Sequence, residues 1–160
     1  MPDGDPEKAM EYFRQAYELQ LQGEYREAIE FYTKSIEAFP SAEAYTFRGW
    51  ARSYLNEHDQ AIADCKRAIE VDPDYGNPYN DIGAYLIETG KSDEAIPWLE
   101  KALIAPRYEA RCYPYFNLGR VYEMRRDWKK AKEYYASALR ENPEYLAAAS
   151  ALRKMSASFN

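Results

Sequence analysis

The sequence predicts an all-α solenoid: antiparallel helix pairs stacked side by side, about nine helices with the last as a cap. The first support is a set of columns that repeat in register along the 160 residues. Tyrosines stand at Tyr12, Tyr45, Tyr79 and Tyr115, separated by 33, 34 and 36 residues. Small residues follow each by four, at Ala16, Gly49, Gly83 and Gly119. Ala28, Ala61, Ala95 and Ala131 keep the same separations, as do Ser35, Ala68, Ala102 and Ala138 seven residues further on. Pro40, Pro73, Pro106 and Pro143 close the units. The second support is apolar spacing, which is helical in two pieces per unit. Tyr79, Ile82, Gly83 and Leu86 form one face, and Ala95, Ile96, Leu99, Ala102 and Leu103 the next.

The first unit, residues 9–41, is entered through Asp5-Pro6-Glu7, which supplies an N-cap, a first-turn proline and an acid at the positive end of the helix. Gln22-Gly23 divides it, because glycine accepts the left-handed conformation that ends a helix. The second unit, 42–75, divides at Asn56 and sets Cys65 in one buried column with Tyr32, Leu99 and Tyr135. The third, 76–109, divides at Thr89-Gly90. Pro97 falls early enough in its second helix to cost only about one backbone hydrogen bond. The fourth, 112–143, divides at Arg126-Asp127. Residues 144–157 make one more helix, apolar at Tyr145, Leu146, Ala149, Leu152 and Met155 and polar at Ser150, Arg153 and Lys154. Helices this short are marginal alone and become stable by covering one another. The small residues let backbones approach, and the aromatics fill the space beside them.

Composition narrows the function. Hydrophobic residues at 46% and charged residues at 30% exclude disorder and collagen-like fibres. A net charge of −6 argues against a broad grip on nucleic acid or anionic lipid. No apolar run reaches the ~18 residues of a membrane span, and Met1–Met10 has no signal-peptide core. Two cysteines, Cys65 and Cys112, are too few for a disulfide framework, so a cytoplasmic protein is expected. His58 reads as a turn residue in the place of Tyr25, Ser92 and Trp128, with no nucleophile–base set around it. Cys112, at a helix start, is a weak thiol candidate, and no CxxC pair offers a zinc site. Gly23, Gly49, Gly83, Gly90 and Gly119 all have repeat duties, so no phosphate loop remains. The basic stretch from Arg125 to Lys132 reads as a solvated turn. No enzyme, metal or cofactor is expected.

The skeleton Tyr12…Ala16…Ala28…Ser35…Pro40, repeated three times more, resembles the tetratricopeptide repeat (TPR) over about residues 9–143, with the last helix as a solvating cap. The departures are Arg52 in place of an aromatic, Lys132 in place of the apolar Ile29, Ile62 and Ile96, and a third-to-fourth junction two residues longer than the others. The resemblance implies a right-handed superhelix whose concave face, lined by the first helix of each pair, binds a peptide or partner helix. The positions it assigns to that face are Phe13, Arg14, Tyr17 and Leu21, then Thr46, Phe47, Trp50 and Tyr54. Asn80, Asp81, Ala84 and Ile87 follow from the third unit, and Tyr113, Phe116, Asn117 and Arg120 from the fourth. By helical phase these lie off the packing side that holds Tyr45 and Gly49. An exposed aromatic cluster marks an interaction surface, and Tyr, Trp and Arg dominate interface energetics. Asn80 and Asn117 are placed to bond the backbone of an extended peptide, as asparagines do in some TPR grooves.

TPR co-chaperones clamp chaperone-tail carboxylates with Lys, Arg and Asn. The corresponding positions are Phe13, Tyr17, Phe47, Asn77 and Asp81 here, or Thr46, Trp50, Asp81, Tyr113 and Asn117 one repeat later. Neither frame carries a cation, so that clamp is absent. The junction from Ala105 to Arg111 resembles one in bacterial TPR proteins that assist pilus assembly, and would present Arg107, Tyr108 and Arg111; the lipidation cysteine typical of those proteins is missing. The expectation is a non-catalytic adaptor or assembly factor that captures an apolar or aromatic segment along Phe13, Tyr17, Phe47 and Trp50. On this reading, alanine at Phe47 and Trp50 abolishes binding and leaves melting intact. The alternative is self-assembly, a homo-oligomer whose groove takes Tyr145, Leu146 and Phe159 of another copy.

Overall fold

Helices pair as the columns require. The computed structural model describes residues 3–158, in the order α1 (Pro6–Leu21), α2 (Tyr25–Ala38), α3 (Ala42–Tyr54), α4 (His58–Val71), α5 (Asn77–Glu88), α6 (Ser92–Ile104), α7 (Cys112–Met124), α8 (Trp128–Glu141) and α9 (Leu146–Ser158). The only β pairing among the described residues is an isolated bridge between Tyr75 and Arg107. Asp5 caps α1, its carboxylate accepting the Lys8 N–H at 3.0 Å, and α1 starts at Pro6, ahead of the repeat boundary at residue 9. Ser41 caps α3 through the Ala44 N–H, and Asp127 caps α8 through the Lys130 N–H. The turns inside the pairs sit in the left-handed region at Gly23 (φ +82°), Asn56 (+59°), Gly90 (+79°) and Arg126 (+59°). In α6 the helix runs through Pro97 to Ile104.

The alanine columns are sealed: Ala28, Ala61, Ala95 and Ala131 expose nothing, nor do Ala68, Ala102 and Ala138. Tyr32, Cys65, Leu99 and Tyr135 lie at or near zero exposure. A Cβ on Gly83 would come within 2.4 Å of Leu99, so α5 and α6 approach only because that position lacks one. The largest cluster joins α4 to α7 through Cys65, Ile82, Leu86, Leu99, Leu118 and Val121. The cap, α9, covers the last pair by seating Met155, with Leu152 beside it, against Tyr135 and Ala131.

Two departures from the repeat have physical accounts. Arg52 donates to the Asp64 carboxylate at 2.9 Å, and Arg48 grips the same carboxylate twice, at 3.0 and 2.7 Å. Asp64 is buried, so the aromatic absent at Arg52 is replaced by a closed ion triad between α3 and α4. The long junction folds inward rather than presenting all its side chains. The Gly76 N–H donates to the Arg107 carbonyl, and the Arg107 N–H to that of Asp74. Arg107 lies over the Tyr75 ring and pairs with Glu43 and Asp72. Arg111 donates to the carbonyls of Leu103 and Ala105 at the end of α6. Tyr108 is only 5% exposed and presses on Gly76, where a Cβ would lie 2.3 Å from its own.

Candidate functional site

The first helices of the pairs share one face, and aromatic side chains run along it. Phe13 meets Phe47 edge-on at 5.3 Å, Tyr17 meets Phe47 at 5.9 Å, and Phe47 meets Trp50 at 5.9 Å. Trp50 reaches Tyr54 at 5.8 Å, and Tyr54 stacks flat on Tyr25 at 4.6 Å. Phe13 and Phe47 also pack on buried Tyr32, so both serve the core as well as the groove. Tyr17, Leu21 and Tyr54 stay open to water, and Arg14 is exposed.

Beyond Trp50 the face opens into a cavity of about 370 Å³. Helix α3 lines it with Thr46, Phe47 and Trp50, and α5 with Asn77, Asn80 and Asp81. The junction adds Tyr108 and Ala110, and α7 adds Tyr113, which is 46% exposed. Six expected groove residues therefore converge there: Thr46, Phe47, Trp50, Asn80, Asp81 and Tyr113. Asn117 and Arg120 stand behind them in a polar chain. The Asn117 amide donates to Asn80 at 3.0 Å, and Arg120 donates to Asn117 at 3.2 Å and to Glu88 at 3.2 Å. Both asparagines are buried and spend their side chains on each other, on Asp81 and on Arg120, which leaves less for a peptide backbone than their spacing implies. Phe116 turns away, packing on Tyr135 at 5.5 Å and on Tyr145 at 5.2 Å.

Tyr108 was legible only as a junction residue. The signal was Gly76, which belongs to none of the repeat columns and which the Tyr108 ring needs bare. Thr46 spends its hydroxyl on the Ala42 carbonyl. Asp81 has one weak side-chain partner, the Asn80 amide at 3.4 Å, and burial pushes its carboxyl up to about 7.

Burial pushes both thiols up, Cys65 strongly, which suppresses the thiolate. His58 begins α4 beside Tyr85 with its Nδ1 unpartnered. No group of three His, Cys, Asp or Glu side chains suited to a metal occurs among the described residues. Nor is any described helix long and apolar enough to cross a membrane.

Comparison with known proteins agrees with the repeat. Tetratricopeptide repeat models match residues 2–22, 42–75, 65–96 and 112–145. The small glutamine-rich tetratricopeptide repeat-containing protein 2 of Mycosarcoma maydis is 33% identical over 102 residues, 63% of this chain but only 29% of that one. The chain thus spans under a third of that relative's length. The photosystem I assembly protein Ycf3 of Prochlorococcus marinus is 30% identical over 126 residues, covering 71% of this chain and 73% of that one. Among solved structures, PilW, a type IV pilus biogenesis factor, superposes with a TM-score of 0.84 over 92% of this chain and 68% of its own, at 21% identity, which speaks to fold alone. On these matches and on the helix pairs themselves, the chain belongs to the tetratricopeptide repeat family.

Proposed function

We propose that the protein is a non-catalytic adaptor or assembly factor that holds a segment of a partner protein along the face formed by α1, α3, α5 and α7. The observation that carries this reading is the aromatic run from Phe13 to Trp50, ending at a cavity whose rim holds half-buried Trp50 and exposed Tyr113. Such a surface costs solvation unless covered, and its residue types are those that dominate interfaces. The name of the cyanobacterial relative, an assembly protein, points the same way. Two free, buried thiols accord with a reducing, cytoplasmic setting.

The decisive variant is not the pair first expected. Phe47 packs on Phe13 and Tyr32, so its truncation would lower stability along with binding. Trp50→Ala with Tyr113→Ser removes the rim and spares the core. Captured from a lysate of the source cell, a partner retained by wild type and lost by this variant supports the reading. A partner retained by both sinks it. Self-assembly is the second outcome: only further copies of the chain come down. Tyr145 is already used within the chain, edge-on to Tyr113 at 5.4 Å, while Leu146 is free to contact another copy at 80% exposure. Phe159 lies outside the described residues.

A further inference from the structure

We propose that the groove cavity is a receptor for one basic side chain, Lys or Arg, of an extended partner segment, with Asp81 as its counter-charge and Trp50 and Tyr113 as its aromatic walls. The inference rests on the proposed groove function and names the chemistry of its occupant.

Four observations point to a cation. Asp81 lies on the cavity wall, and no ion pair among the described residues includes it. The arginines of α3, the junction and α7, which line the cavity together with α5, are committed elsewhere. Arg48 and Arg52 hold Asp64, Arg107 holds Glu43 and Asp72, and Arg120 holds Glu88 and Asn117. Arg111 is spent on the Leu103 and Ala105 carbonyls. The chain therefore supplies cationic partners to Glu43, Glu57, Asp64 and Asp72 and withholds one here.

The walls fit the same occupant. A Lys ammonium or Arg guanidinium is drawn to the faces of Trp and Tyr, most strongly where water is excluded. Trp50 and Tyr113 stand on α3 and α7, on either side of the helix that carries Asp81. The methylene stem of a long basic side chain is apolar and packs on aromatic walls while its head reaches the carboxylate. A net charge of −6 draws basic segments to the protein before contact. An acidic peptide, by contrast, would bring a second carboxylate to a site with no free cation. The cavity volume, about 370 Å³, is in the range of sites that enclose a single large group.

The test screens the full chain against a randomised octapeptide library, alongside Asp81→Asn and Trp50→Ala/Tyr113→Ser. Asparagine matches the shape of aspartate, and retained helicity and melting check its fold. The expected result is a single position enriched in Lys or Arg on wild type, with the enrichment lost on Asp81→Asn. For a selected peptide, replacing the basic residue by norleucine should weaken binding to wild type at least tenfold, with no change in wild-type protein needed. The norleucine peptide should bind Asp81→Asn and wild type alike. Selected peptides that depend on Trp50 and Tyr113 but show no basic position, or bind Asp81→Asn equally well, overturn this inference and leave the groove reading standing. A library from which no peptide depends on Trp50 and Tyr113 overturns both.

Discussion

Asp81 is where structure and stability pull apart. Its carboxyl, raised to about 7 by burial, faces the Asn80 amide and shares its surroundings with Cys65 of α4, Tyr85 of α5, and Tyr75 and Tyr108 of the loops on either side. None of these offers a positive charge. Between pH about 4 and 7 the folded chain holds a proton that the unfolded chain has released, so this group's contribution is complete below 3.8 and lost as pH rises through about 7. Asp81→Asn cannot ionise. In urea titrations it is expected to match wild type near pH 4 and to exceed it at pH 8 by on the order of 1–3 kcal/mol, the open groove screening part of the effect. Equal stability at both pH values would contradict the burial argument. The acid at Asp81 was visible in the sequence as a departure from the carboxylate clamp, because a missing cation is a matter of residue type. That it would stand unpaired was not visible, since pairing depends on where Arg48, Arg52 and Arg107 point, and each reaches a partner in another element.

At the scale of elements, helix pairs depend on small residues and on one ion triad. Gly83→Ala would drive a methyl group into Leu99 and is expected to cost about 1–3 kcal/mol, read as a lower urea midpoint. Asp64→Ala would leave Arg48 and Arg52 uncompensated between α3 and α4, with an expected loss of about 3 kcal/mol. The first effect was legible, because Gly49, Gly83 and Gly119 recur four residues after a tyrosine. The second was not: Arg52 read only as an aromatic replaced, and its buried partner lies twelve residues away in the opposing helix. The junction was half legible. Its extra length showed in the spacing, but its direction was set by backbone bonds from Gly76 to Arg107 and from Arg107 to Asp74, which no side-chain pattern records. Tyr108 consequently became a wall of the cavity rather than a presented side chain.

Across the whole molecule, stability passes from neighbour to neighbour. The cluster joining α4, α5, α6 and α7 is the largest, and both ends of the stack have one neighbour fewer. Amide exchange is therefore expected to be slowest in α5 and α6 and fastest in α1 and α9. Removing residues 146–160 would uncover Tyr135 and Ala131, which Met155 and Leu152 now protect, so the expected result is a lower melting temperature. That truncation does not isolate an oligomer contact; Leu146→Glu does, since this side chain is 80% exposed. The account's central claim, that a partner lies on the face of the first helices, is tested most directly by photo-crosslinking in cells that make the protein. Benzoylphenylalanine in place of Tyr113 reports on the cavity rim, and in place of Glu70, exposed on α4, on a second helix. The account expects a discrete partner crosslinked from position 113 and lost with Trp50→Ala, with none from position 70. Crosslinks from position 70 alone, or from position 113 undiminished by Trp50→Ala, would contradict it.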